Sequence, residues 1–89
     1  MELKPMYQRV IGLDVNQAKI SACALAQQPD GTVTINKPES GAFKRDRKAV
    51  AHWAREFGPE VVVMESTGIY WKSPYAALEA VGIANLSTS

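Results

Sequence analysis

The sequence predicts an α/β domain, a mixed sheet in strand order 3-2-1-4-5 with two helices packed on it. Three observations predict it. The apolar run Val61-Val62-Val63-Met64 ends directly in Glu65 and follows Gly58-Pro59, the pattern of a short strand buried on both faces. Upstream lie three strand-like segments divided by turn signals, and then one segment of helical period. A right-handed crossover through that helix sets the fourth strand parallel to the first and beside it.

The elements follow in order. Residues 1–6 read as a leader, with Pro5 against regular structure. Tyr7 to Val15 reads as the first strand, with Val10, Ile11 and Leu13 apolar and Gly12 allowing backbone or ligand to approach closely. Asn16-Gln17-Ala18 form a turn. Lys19 to Gln27 is the second strand, with Ile20, Ala22, Ala24 and Ala26 on one face and Ser21, Cys23 and Leu25 on the other. Pro29-Asp30-Gly31 is a turn, and β-branched Thr32 to Lys37 make the third strand. Pro38-Glu39-Ser40-Gly41 breaks the pattern.

From Phe43 to Phe57 the period is helical, with Val50, Trp53, Ala54 and Phe57 on one stripe. Gly58 and Pro59 stop it. The strand Glu60 to Glu65 follows. Ser73-Pro74 has the form of an N-cap and first helical residue, predicting a helix over 74–81 that buries Ala77, Leu78 and Val81. Gly82 closes it, and a fifth strand is expected to begin at Ile83-Ala84-Asn85-Leu86.

Composition bounds the rest. The chain of 89 residues is enough for one small domain. A net charge of +1 argues neither for nor against a nucleic-acid partner. The single cysteine, Cys23, excludes an internal disulfide and fits a reducing compartment. No apolar run is long enough for a membrane span, and Met1-Glu2-Leu3-Lys4-Pro5 lacks the apolar core of a signal peptide. These features predict a cytoplasmic protein with no membrane partner.

Strands one and four are expected to end on the same sheet edge, where Asp14 and Glu65 meet. Two carboxylates there suit a divalent cation such as Mg2+, which takes oxygen ligands and keeps several waters. Two such ions about 4 Å apart stabilise both oxygens of a phosphodiester displacement. Without metal the carboxylates repel. The plainer alternative is that Asp14 only caps the Asn16-Gln17 turn and Glu65 points into solvent.

Val10-Ile11-Gly12-Leu13-Asp14-Val15, a meander, and then Val62-Val63-Met64-Glu65-Ser66-Thr67-Gly68-Ile69-Tyr70-Trp71 resemble the start of a DEDD transposase. These transposases belong to the insertion-sequence family whose recombinase uses a bridge RNA. The resemblance extends to about Gly82, and its Glu-Ser-Thr-Gly-x-Tyr-Trp string is the specific part. It implies a RuvC-like domain of ribonuclease-H-like fold, truncated after the fifth strand, so that 7–89 is a partial catalytic domain. Asp14 and Glu65 match the first two acidic residues of the four-carboxylate signature, as catalytic residues and ligands of Mg2+ or Mn2+. With two ligands missing, the metal is expected to bind weakly.

The resemblance further implies DNA strand cleavage and transfer in transposition. It also implies DNA as a partner, a guide RNA in the full-length protein, and a homo-oligomer. The sequence departs from the family pattern in three ways. The downstream aspartates and the serine of a second domain are not in the chain, and Asn16-Gln17 stand where many members carry a basic residue. The Leu86-Ser87-Thr88-Ser89 end is also unlike the longer strand and basic segment expected there. That predicts a truncated piece or a gene remnant.

Lys44, Arg45, Arg47 and Lys48 form a basic cluster at the predicted helix start, a candidate nucleic-acid contact or simply a solvated face. Tyr70 and Trp71 are expected to pack rather than stack on a base. His52 reads as a surface residue, and Cys23 as an inert core thiol. Two alternatives stay open: a non-catalytic dimerisation or RNA/DNA-binding remnant, and a fragment of an actin-like or sugar-kinase-type ATPase. The ATPase reading needs a glycine-rich phosphate loop, which Val15-Asn16-Gln17 does not offer.

Overall fold

The computed structural model describes residues 8–39 and 42–88. The elements are β1 (Arg9–Val15), β2 (Ile20–Gln27), β3 (Val33–Asn36), α1 (Arg47–Phe57), β4 (Val61–Ser66), α2 (Lys72–Ala80) and β5 (Leu86–Thr88). The leader, and Tyr7 at the expected start of the first strand, lie outside the described residues.

One five-stranded sheet has the order β3-β2-β1-β4-β5. β1 to β3 form an antiparallel meander, and β4 and β5 run parallel to β1. Order and orientations are those expected from the sequence, and they make the fold ribonuclease-H-like. Successive right-handed crossovers that advance in one direction place their helices on one side of a sheet. α1 and α2 accordingly share a face.

The core lies between that face and the helices. Ile11, Leu13 and Val15 of β1, Ile20, Ala22 and Ala24 of β2, and Val62 and Met64 of β4 are buried under Val50, Ala51 and Ala54 of α1 and Leu78 of α2. The β2 alanines lie on the face the alternation predicts, and their small side chains leave room for a close helix. Trp53, Phe57, Ala77 and Val81 pack at the margin.

The other face carries no helix among the described residues. β4 is therefore buried on both sides only at its start, not along its length as its apolar run suggests. Val61 and Val62 are buried, but Val63 is 38% exposed, as is Leu25, and Ile35 is 64% exposed. Cys23 also lies on this face, half-buried and outside the core cluster, which corrects its expected place.

Local chemistry moves several element ends from their expected positions. α1 begins at Arg47, not near Phe43, because Lys44 takes a left-handed φ of 50°. Asp46 then caps the helix, its carboxylate accepting the amides of Lys48 at 3.1 Å and Ala49 at 3.0 Å. α2 begins at Lys72, without a side-chain cap, so Ser73 is helical rather than capping. Pro74 falls within the first turn, where its missing N–H removes no helical hydrogen bond. β5 starts at Leu86, not Ile83, because Gly82 and Ile83 donate back to Glu79 and Leu78 and finish α2. β3 is one residue shorter at each end than expected.

Gly58 ends α1 in the left-handed region at φ 71°. In the β2–β3 turn, the hydroxyl and amide of Thr32 donate to Asp30 and hold its carboxyl below the usual range. That contribution is present above the ordinary carboxylate pKa and is lost as pH falls below it.

Replacing the α1 cap, Asp46→Ala, should cost about 1 kcal/mol. In a domain of this size that lowers Tm by roughly 4–8 °C. Thermal melts followed by circular dichroism check it, with Asp46→Asn expected to keep most of the parent Tm.

Candidate metal centre

The β1–β4 register sets Asp14 directly beside Glu65. The ladder continues one step beyond them, where the Thr67 amide donates to Val15 O at 3.2 Å. Alternation puts both carboxylates on the uncovered face, and both are exposed. Neither takes a hydrogen bond or ion pair from the other described residues; the ion pair among these residues joins His52 and Glu56 on α1 at 3.1 Å. His52 is thus the surface histidine the sequence suggests.

Asp14 does not cap the turn that follows it. Asn16 does: its Oδ1 accepts the amides of Ala18 at 2.8 Å and Lys19 at 2.9 Å. An Asx turn of this kind needs one side-chain oxygen, so the Asp14 carboxylate is left for another use.

The ends of β1 and β4 are also tied together from outside. Arg45 Nη1 donates to the carbonyl of Asn16 at 2.9 Å, and its guanidinium lies 5.8 Å from the Tyr70 ring centre. Asn16 follows Asp14 by two residues and Tyr70 follows Glu65 by five, so one side chain touches both strand exits. The backbone amide of Ile20 donates to Lys44 O and holds the same segment against β2. Arg45 therefore carries a structural role that the basic pattern alone did not reveal.

The remaining cations go elsewhere. Arg47 and Lys48 line a groove of about 770 Å³ between α1 and α2, on the opposite side of the sheet from the carboxylates. Lys44 is exposed in the connection before α1. Tyr70 and Trp71 are half-buried against the core, and Trp71 meets Tyr75 edge-on at 5.6 Å.

Around the carboxylates is a shallow depression of about 390 Å³, lined by Asp14 and Glu65 together with Gly12, Ser21, Cys23, Lys37 and Val63. Among the described residues no group of three or more His, Cys, Asp or Glu gathers here or elsewhere. Two exposed carboxylates with free oxygens fit a hard cation that keeps most of its waters, as Mg2+ or Mn2+ does.

The chain is similar to the yeast mitochondrial Holliday junction resolvase Ydc2, with a TM-score of 0.48 and 17% identity over 97% of this chain and 52% of that one. The chain thus spans about half the length of that resolvase chain. No family model matches the chain, and no curated protein does.

Two solvated carboxylates on adjacent strands repel by roughly 0.5–1 kcal/mol. Asp14→Asn and Glu65→Gln each keep the shape and remove the repulsion. Each should raise Tm in chelator by a few degrees, at most about 8 °C. If both melt no higher than the parent, the carboxylates are too far apart to sense each other.

Proposed function

We propose that this chain is the N-terminal part of a metal-dependent DNA recombinase domain of the transposase type, supplying Asp14 and Glu65 as two of its carboxylate ligands. The observation that carries the proposal is their pairing across parallel strands at the carboxyl edge, with both side chains exposed and unpaired among the described residues. The Glu65-Ser66-Thr67-Gly68-Ile69-Tyr70-Trp71 string and its resemblance to the bridge-RNA-using transposases support the transposase type over other nucleases. DNA is the partner this reading requires. A guide RNA and a homo-oligomer belong to the full-length protein on the same reading.

Asp14 and Glu65 would hold Mg2+ or Mn2+, which when bound polarises a phosphodiester and stabilises the leaving oxygen. The chain's own contribution is positional. Strand pairing fixes the spacing of the carboxylates, the Asn16 turn keeps Asp14 from being used as a cap, and Arg45 holds the strand exits at a set distance. The ATPase alternative is disfavoured by the same turn. It is closed by an asparagine side chain and offers no run of glycine amides to cradle phosphate.

Two carboxylates are a partial ligand set, so binding should need millimolar metal. Magnesium should raise the Tm of the parent by binding the folded state. Asp14→Asn and Glu65→Gln should respond less. Equal responses from all three proteins would sink the proposal. The chain alone should leave branched DNA intact in magnesium. Cutting that depends on metal and disappears in Asp14→Asn would show that two carboxylates suffice.

A further inference from the structure

β3 ends the sheet on the meander side, and among the described residues no strand pairs with its outer edge. The connection to α1 leads away from that edge. It leaves β3 at Lys37-Pro38 and turns towards the start of β2, where Pro38, Glu39 and Phe43 share a hollow with Ile20 and Ala22. The whole of β3 is exposed.

The hairpin decides which backbone groups face outwards. The Gln28 amide donates to Thr32 O at 2.7 Å across the turn. Backbone groups alternate along an antiparallel pair. Those of Thr34 and Asn36 therefore face β2, and those of Val33 and Ile35 face away from it. Open edges are ordinarily blunted by charge, proline or a bulge. Thr32-Val33-Thr34-Ile35-Asn36 carries no charge, proline or glycine and is mostly β-branched, which suits it to take up another strand. The charges stand at the two ends instead, Asp30 before the strand and Lys37 after it. Both are exposed, and neither forms an ion pair with another described residue.

An edge with acid at one end and base at the other complements itself when turned end for end. A parallel copy would set Asp30 beside Asp30 and Lys37 beside Lys37. We infer that two copies of this chain pair antiparallel through β3, about a two-fold axis at Thr34. Val33 of one copy then exchanges backbone hydrogen bonds with Ile35 of the other, and their side chains share one face. Gly31 comes opposite Lys37 of the second copy, so each Lys37 stands beside an Asp30. An axis at Ile35 would set Lys37 against Val33 and leave Asp30 without its cation. The patch is self-complementary, as a two-fold dimer requires. The joined edge is far smaller than a standard interface of about 1,600 Å2, so the dimer is weak and forms at high protein concentration. Neither Asp14 nor Glu65 takes part, and the inference stands or falls apart from the metal pair.

The test is sedimentation equilibrium of the chain up to sub-millimolar concentration, beside amide NMR spectra over the same dilution series. A monomer–dimer equilibrium is expected. The amides of Val33 and Ile35 should shift with concentration, and those of Thr34 and Asn36 much less, because only the first pair faces the second copy. Ile35→Pro removes an outward N–H and no bond to β2, a place where edge strands tolerate proline. It should abolish dimerisation while keeping the circular dichroism spectrum of the parent. Lys37→Asp puts acid beside Asp30 of the second copy and should weaken the dimer several-fold, whereas Lys37→Arg should keep it. If Ile35→Pro folds poorly, the two Lys37 variants decide. The inference is overturned if the parent stays monomeric throughout, if it grows beyond a dimer, or if the shifts centre away from β3. It is also overturned if a folded Ile35→Pro, or Lys37→Asp, associates like the parent.

Discussion

The register between β1 and β4 is the constraint on which everything else depends. Strand side chains alternate with period two, so a slip of one residue would turn Asp14 into the core and leave Leu13 and Val15 in water. The burial of Ile11, Leu13 and Val15 beside Val62 and Met64 forbids that slip. Polar ties pin both ends as well. At the start of the pair, the Glu60 carboxylate accepts the amides of Gln8 at 2.8 Å and Arg9 at 2.9 Å. The Arg9 side chain reaches across to the carbonyls of Phe57 and Gly58 and lies over the Phe57 ring. At the far end Arg45 joins the two exits. The carboxylates are therefore set by the hydrophobic core and by two clamps, none of which uses the carboxylates themselves.

Covering only one face of the sheet has a chemical consequence. Among the described residues the core cluster lies on the helix side, so the end of the opposite face where Asp14 and Glu65 stand is free to carry charge. Asp14 and Glu65 are exposed there and need no buried partner, which avoids the desolvation cost of a buried charge. The same openness exposes Leu25, Val33, Ile35 and Val63.

Much of this was legible in the sequence because the signals were local and mutually consistent. The alternation in β2, the stripe of α1 and the run into Glu65 gave the strand order, and the order brought Asp14 to Glu65. What escaped depended on the chain meeting itself at a distance. The late start of α1 follows from the left-handed Lys44 and from Asp46, whose capping role is hard to separate from a charge cluster when only Lys44-Arg45-Asp46-Arg47-Lys48 is in view. Arg45 reads as one cation among four until Asn16 and Tyr70 are beside it. Glu60 and Arg9 gave no motif at all, since their partners lie about fifty residues away. The bare second face was hidden because four apolar residues in a row look the same whether one side or both are covered. Cys23 was misplaced for that reason. The Asn16 cap, by contrast, was readable: asparagine opening a turn is a known Asx signal, and giving it that role frees Asp14.

The central claim is that the β1–β4 register creates a cation site at Asp14 and Glu65. Paramagnetic broadening by Mn2+ in the amide NMR spectrum tests it most directly, because the effect falls off steeply with distance from the bound ion. Substoichiometric Mn2+ should broaden the amides of residues 13–16 and 64–67 first, with Gly12 and Ser21 next, and leave α1 and α2 sharp. Broadening centred on His52 and Glu56, on Asp30, or spread evenly over all acidic residues would contradict the account.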